Sequence, residues 1–340
     1  MIFAGNPGSG IPQQYGCAQS SLSNLQGVMA VSNKDGFKSA DYDRMGNDAH
    51  RVDQYTLAIK QAVANKKVLD VGTGRDALLA KICAAAGALH TTAVEVVPQA
   101  AMDAKMAVQK AGLEARIEVV EGHSTSVSLP RVDVVVHEIV GTLGPEEGLA
   151  LVIQDLQHRP EVVNCRRPGW MLPRKVSTLV APIRDRVQDA GTFYPAALGP
   201  RAVQVIEVKR MVAAPSMDQV LGPLRVLDCL DADMPIEGQL TQCRTLTWQV
   251  DVPSLITGFS CAPLLELDGM HSVDAWMHKT SWDHKLLRLA EPQLLSVGDE
   301  ITLTVTAYLE EWPAKYAFDV VVRPRAYRLV AAAPAPVLRK

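Results

Sequence analysis

The 340-residue chain predicts an α/β fold: a doubly wound parallel sheet followed by a mostly antiparallel β-barrel domain. Three observations point there. Apolar runs alternate with helix-patterned segments between about residues 66 and 165, as in a parallel sheet with crossover helices. The first run, VLDVGTGRD, ends in a glycine turn, where the missing Cβ atoms let a ligand approach the backbone. After WMLPRK, helical spacing gives way to Val-, Thr- and Leu-rich segments separated by Pro and Gly.

Residues 1 to about 35 are rich in Gly, Ser, Asn and Gln and read as a mobile or substrate-ordered arm. Tyr55, Ile59 and Val63 follow helical spacing up to Asn65, and KVLDVG then forms a buried strand. ALLAKICAAAG is a helix closed by Gly87, and TTAVEVV is the next strand. Pro98 opens a helix that runs to Gly112, the Pro-first and Gly-last arrangement helix termini favour. IEVVEG and VDVVVHE supply two more strands. Gly144-Pro145-Glu146-Glu147 followed by Leu149, Val152, Ile153 and Leu156 predicts a helix starting at Pro145, with Glu146 as a helix-start acid favoured by the dipole. KVSTLVAPI, AVQVIEVKRM, TLTWQVDV, LLRLA, EITLTVTAYL and AFDVVVRP are the β-prone segments of the second half. The tail AAAPAPVLRK is too rich in Pro for a helix.

Composition removes several function classes. With 34 basic and 37 acidic residues and no Lys/Arg run, nucleic acid is not an expected partner. No charged leader with an apolar core and no run of 18 uncharged apolar residues occurs, so a membrane is not expected and a cytoplasmic location is. The six cysteines never approach CxxC spacing and are read as reduced, packed thiols rather than zinc ligands or disulfides. His137-Glu138 begins like HExxH, but Gly141 stands fifth, so no metal is expected. Asp283-His284 has no obvious serine partner and reads as surface chemistry.

Glu95 ends the second strand 23 residues after Gly72, where an acid can accept hydrogen bonds from two ribose hydroxyls. The pair fits a dinucleotide or S-adenosylmethionine. Asp76 would repel a pyrophosphate at this turn, whereas an ammonium and sulfonium tolerate both Asp70 and Asp76. Arg51 is a candidate bidentate partner for the methionine carboxylate. Glu138 ends a strand on the ligand-binding edge of an open α/β sheet, and an ionised acid there needs a cation. Together with Glu147 it could converge on one guanidinium.

Those residues resemble the protein arginine methyltransferases, class I S-adenosylmethionine-dependent enzymes with a Rossmann-like fold, over residues 37 to 325. The family's double-E hairpin is an acid, eight residues, then an acid, which Glu138 and Glu147 match. Gly-Trp-Met-Leu-Pro resembles its link into the barrel, and Met45, Asp48, Arg51 and Tyr55 match its M-x-x-D-x-x-R-x-x-x-Y helix. Val94-Glu95-Val96 and His123-Ser124-Thr125 are closest to the monomethylating type III branch. Two departures stand out: Asp76 replaces a family glycine, and Thr280-Ser281-Trp282 stands for Thr-His-Trp, nearer the Ser-Trp of the symmetric-dimethylating branch.

The resemblance implies catalytic Glu138 and Glu147; a cofactor site of Met45, Arg51, Asp70, Gly72, Gly74, Asp76, Glu95, Ser124 and Thr125; and acceptor contacts from Tyr42, Tyr55, Ser281 and Trp282. It implies an arm and cofactor-covering helix at 1–50, an S-adenosylmethionine-binding domain at 51–170, a barrel for substrate and dimerisation at 171–330, and a tail at 331–340. The barrel segment from about 184 to 226 would carry the arm of a head-to-tail homodimer. The acceptor would be arginine in a protein or peptide; free L-arginine or another small guanidine could use the same acids. An NAD-dependent oxidoreductase would account for the glycine turn and Glu95 but leave the two acids idle, and a catalytically silent scaffold would keep only the cofactor site.

Overall fold

A computed structural model describes residues 29–30, 39–184, 200–211 and 214–325 of the chain. The Pro195 portion of the expected dimer arm, the tail, and all of the N-terminal arm except residues 29–30 lie outside the described residues.

The first part is a five-stranded parallel sheet of β2 (Lys67–Val71), β3 (His90–Glu95), β4 (Ile117–Glu121), β5 (Val134–His137) and β6 (Met171–Leu172). Its order is β4-β3-β2-β5-β6, so the chain moves outward on one side of β2 and then returns to the other. That reversal creates a crevice at the carboxyl ends of β2 and β5, where open α/β sheets receive ligands. The registers bring Val71 opposite both Val94 and His137. Gly72, Glu95 and Glu138, each at or just beyond a strand end, therefore gather at one edge of the sheet.

Around the sheet lie α1 (Ser39–Gly46), α2 (Ala49–Ala62), α3 (Leu78–Ala85), α4 (Pro98–Lys110) and α5 (Leu149–Gln157). Tyr55, Ile59 and Val63 are fully buried, as the helical spacing requires, and pack in one core with Val68, Leu69 and Val135. β6 closes the parallel sheet two residues beyond the expected boundary at 170. The expected helix from Pro145 is divided. Gly144–Glu147 is a 3₁₀ turn, Gly148 takes φ +89°, and α5 starts at Leu149. A left-handed residue cannot continue a right-handed helix, so the two acids sit in a turn rather than on a helix face.

The second part is antiparallel. One sheet joins β1 (Met29–Ala30), β16 (Lys315–Arg323), β15 (Glu300–Tyr308) and β11 (Thr241–Gln249), with β8 (Arg201–Val203) on β16. The other runs β10 (Arg225–Asp231), β7 (Lys175–Ile183), β12 (Ser254–Glu266), β14 (His284–Leu295) and β9 (Val205–Met211), with β13 (Ser272–Asp274) on β12. The longest strand, β12, escapes a propensity reading because it contains Gly258 and Pro263. Gly258 sits at a register shift, and a Cβ there would collide with the Leu287 carbonyl.

Two sequence expectations fail in this part. His284 is 1% exposed, not on the surface. Its Nδ1 lies 2.8 Å from Ser260 Oγ and its Nε2 3.2 Å from the Ala275 carbonyl, so it has a serine partner, supplied by the neighbouring strand as a core hydrogen bond. Cys83, Cys165, Cys229 and Cys261 are free thiols, but Cys243 is disulfide-bonded, against the all-reduced reading. Among the described residues no helix is long and apolar enough to cross a membrane.

Candidate active site

A cavity of about 890 Å³ opens at the carboxyl edge of the parallel sheet and runs from the β2 and β3 ends to the antiparallel part. One end is built on the glycine turn. Gly72 and Gly74 take φ of +73° and +67°, a conformation available to Gly at little cost. A Cβ on Gly74 would stand 3.1 Å from Tyr42 Cε1, so α1 approaches as closely as the bare backbone permits. The Glu95 carboxylate ties the turn to β3, accepting from Gly74 N at 2.8 Å and Val97 N at 2.9 Å. Each oxygen keeps a lone pair for a ligand hydroxyl. Ser124 is buried and lines the same end.

Arg75 binds α1 over this turn. Its guanidinium meets Ser39 Oγ at 2.6 Å, Asp43 at 2.7 Å and Asp76 at 2.9 Å, and faces the Tyr42 ring at 5.3 Å. Asp76 is thus compensated by its own neighbour rather than waiting for a ligand cation. Tyr42, read as an acceptor residue, stands at this end beside Gly74. Burial and the nearby Glu95 push its hydroxyl up to about 12.

Arg51 occupies the middle of the cavity. Asp48 caps α2 by accepting from Arg51 N at 3.0 Å, and its other oxygen accepts from Ser281 N. The Arg51 side chain donates to the Met45 carbonyl, pairs with Glu138 and faces the Trp282 ring at 5.8 Å. Burial lowers the guanidinium pKa, opposed by Tyr55 and Asp48. Its buried Nε has no acceptor among the described residues, which suits the arrival of a ligand carboxylate. A glycine cradle, an acid with spare acceptors and a buried arginine with an unspent donor fit the adenosyl and amino-acid portions of S-adenosylmethionine.

The far end holds the acid turn. Glu147 is the last residue of the 3₁₀ turn, directly before Gly148, and lines the cavity with Glu138. Burial first, then the adjacent Glu146, raises the Glu147 carboxyl to about 7, against an opposing pull from Lys285. Glu146 is not an idle helix-start acid. It is 6% exposed, accepts from Thr142 N at 2.9 Å and Leu143 N at 3.3 Å, and pairs with Lys285 of β14. Trp282 donates its indole N–H to the Val140 carbonyl at 2.7 Å, fixing the loop before β14 against the β5 end.

Three residues read as site residues do not line the cavity. Tyr55 is 1% exposed and spends its hydroxyl on the His137 carbonyl at 3.1 Å, so it supports the β5 end from behind. Asp70 is fully buried and accepts from Thr73 Oγ1 at 2.6 Å, with burial raising its carboxyl to about 7. Thr125 points to solvent, its hydroxyl 2.8 Å from His123 Nδ1. His137 is wholly buried, and burial lowers its imidazole to about 3, which keeps it neutral. Among the described residues no cluster of His, Cys, Asp and Glu could hold a metal.

Sequence reasoning missed Lys285 and Trp312, both at the acid end of the cavity. Lys285 had a usable signal: it shares one face of an alternating strand with buried Leu287 and Leu289, where a charge needs a partner.

No family model and no curated protein sequence matches the chain. Solved structures do. The Trypanosoma brucei PRMT1 enzyme–prozyme heterotetrameric complex with AdoHcy superposes with a TM-score of 0.64 at 20% identity, over 78% of this chain and 87% of that one. Arabidopsis thaliana protein arginine methyltransferase 10, in an open conformation, gives 0.68 at 18% identity, over 85% and 95%. The chain therefore has the fold of these proteins, a Rossmann-like parallel sheet joined to an antiparallel part.

Proposed function

We propose that the chain is an S-adenosylmethionine-dependent arginine N-methyltransferase that acts on arginine within a protein or peptide. The observation that carries this reading is one cavity shared by the glycine turn, Arg51 and the acid pair Glu138 and Glu147, on a fold held in common with arginine methyltransferases. One of those neighbours contains AdoHcy, the demethylated product of the proposed cofactor.

Bound S-adenosylmethionine would supply an electrophilic methyl group on its sulfonium. Arg51 holds the carboxylate of the methionine end, and Glu95 accepts from the ribose hydroxyls. Met45, Gly72, Gly74 and Ser124 form the surrounding wall. Glu138 and Glu147 bind the guanidinium and draw its positive charge away from one terminal nitrogen. That nitrogen keeps electron density to direct at the methyl carbon, which matters because an arginine pKa above ~12 makes the neutral nucleophile scarce. Alignment of this kind lowers barriers by up to about 7–11 kcal/mol. With Ser281 replacing the family histidine, proton removal falls to the acids or to water. A dehydrogenase reading gives the acid turn no task.

The remaining expectations belong to the same proposal: site motifs nearest the monomethylating branch, a homodimer, a cytoplasmic location, and divisions near residues 50, 170 and 330. The test is to incubate the chain with labelled S-adenosylmethionine and, separately, arginine peptides, protein lysate and free L-arginine, then digest and identify the methylated species. Labelled arginine in peptide or protein is expected. Label confined to the free amino acid would move the acceptor to a small guanidine, and no labelled arginine in any sample would end the reading.

A further inference from the structure

The acid end of the cavity has a wall that the acid pair does not supply. Trp312 lies in the connection between β15 and β16 and lines this cavity, yet it remains 49% exposed. Its position is fixed by its neighbours. Leu309 and Ala314 on either side are buried, and Leu309 N donates to the Leu240 carbonyl at 2.7 Å. Glu311 and Lys315 pair across the same connection. The segment thus holds an indole half open between buried Leu309 and Ala314.

The indole stands against Gly148, directly after Glu147. A Cβ on Gly148 would lie 3.0 Å from Trp312 Cδ1 and 3.4 Å from its Cγ, so the close approach depends on glycine. Glu146 is occupied by Lys285, which leaves Glu147 as the acid beside the indole. Trp282 is committed differently, with its N–H on the Val140 carbonyl and its ring toward Arg51. An aromatic face beside a carboxylate suits a cation on an aliphatic stem: the face attracts the charge, the carboxylate takes its N–H groups, and the methylenes pack on the ring.

We propose that Trp312 is an acceptor-binding residue, the wall along which the substrate guanidine and its methylene stem reach Glu147. This rests on the arginine methyltransferase reading and assigns a further contact within it. Trp312 stands against Gly148 of the acid turn, and the glycine turn is held by Tyr42 and Glu95, so loss of the indole should leave cofactor binding alone.

The experiment uses the full chain and an acetylated, amidated Ala-Arg-Ala peptide. Methyl-transfer kinetics and S-adenosylhomocysteine affinity are measured for the wild type, Trp312→Ala, Trp312→Leu and Trp312→Phe. Ala and Leu should raise the peptide KM about threefold to thirtyfold, the range that loss of one cation–π contact spans. Phe should restore most of the loss, with kcat and S-adenosylhomocysteine affinity near wild type. An unchanged peptide KM in Ala and Leu, with wild-type turnover intact, overturns the role of Trp312 alone. A wild-type chain that methylates no arginine overturns the parent reading, and this inference with it. If Ala loses S-adenosylhomocysteine binding, the comparison of Leu with Phe decides: equal KM values count against the proposal.

Discussion

Lys285 of β14 forms an ion pair with Glu146 of the acid turn, and the two side chains are 6% and 7% exposed. The pair joins the parallel-sheet part to the antiparallel part beneath Glu147. Removing one member of a buried pair strands the other charge, which typically costs about 3–5 kcal/mol. Glu146 keeps its hydrogen bonds from Thr142 N and Leu143 N, so Lys285→Met should fall near the lower end of that range. The Glu146→Gln/Lys285→Met double variant should recover much of the loss. Denaturant unfolding of the two single variants and the double measures this coupling, and additive losses would contradict it.

Glu147 makes the proposed reaction pH-dependent. Only its carboxylate can hold a guanidinium, and its pKa is raised from 4.5 to about 7. The acidic limb of kcat/KM should therefore lie near neutrality. Stability has the opposite slope: between 4.5 and about 7 the unfolded chain releases this proton more readily than the folded one, so the contribution falls as pH rises and levels off above 7. Glu147→Gln should gain thermal stability relative to wild type from pH 5 to pH 8 and lose most of its turnover. Lys285→Met should move the acidic limb upward, because Lys285 opposes the shift. A flat wild-type rate profile from pH 6 to 8 would contradict this account.

Glu138 and Arg51 form an ion pair in the middle of the cavity, and their separate tasks assign different losses to their variants. Glu138→Gln keeps the shape but removes the charge from the clamp, so turnover should fall by about two orders of magnitude or more. Its S-adenosylhomocysteine affinity should change by less than about tenfold. Arg51→Lys loses the planar fork, so the same affinity should fall by about tenfold or more. Calorimetric titration with S-adenosylhomocysteine separates the two, and equal affinity losses would refute the division of labour.

Much of this site was legible because strand ends are legible. Apolar runs located β2, β3 and β5, and the residues just beyond them, Gly72, Glu95 and Glu138, had to share an edge once the sheet was parallel. What escaped depended on contacts distant in sequence. Glu146 looked like a helix-start acid because its partner Lys285 lies 139 residues away. Tyr55 looked like a site residue because its place in a motif says nothing about direction, and its hydroxyl turns to the His137 carbonyl. The 3₁₀ turn at Gly144–Glu147 was hidden because Pro145 suits a helix start and the apolar stripe of α5 follows directly, while the left-handed conformation of Gly148 that separates them depends on the fold.

Gly141 tests whether the acid turn acts as one unit. A Cβ there would overlap the Glu146 side chain at Cγ and Oε1, the oxygen that accepts from Thr142 N and Leu143 N. Gly141→Ala can be accommodated only if Glu146 moves, which loosens both backbone hydrogen bonds and the Lys285 pair. Overpacking of this kind costs about 1–3 kcal/mol. The glycine turn and Glu95 occupy other strand ends and should be little affected. Gly141→Ala should therefore bind S-adenosylhomocysteine within a few-fold of wild type while methyl transfer falls by about tenfold or more, since small misplacement of reacting groups is costly. Wild-type turnover in this variant would mean that Glu147 holds its place without Glu146, and the acid turn would have to be treated as independent residues.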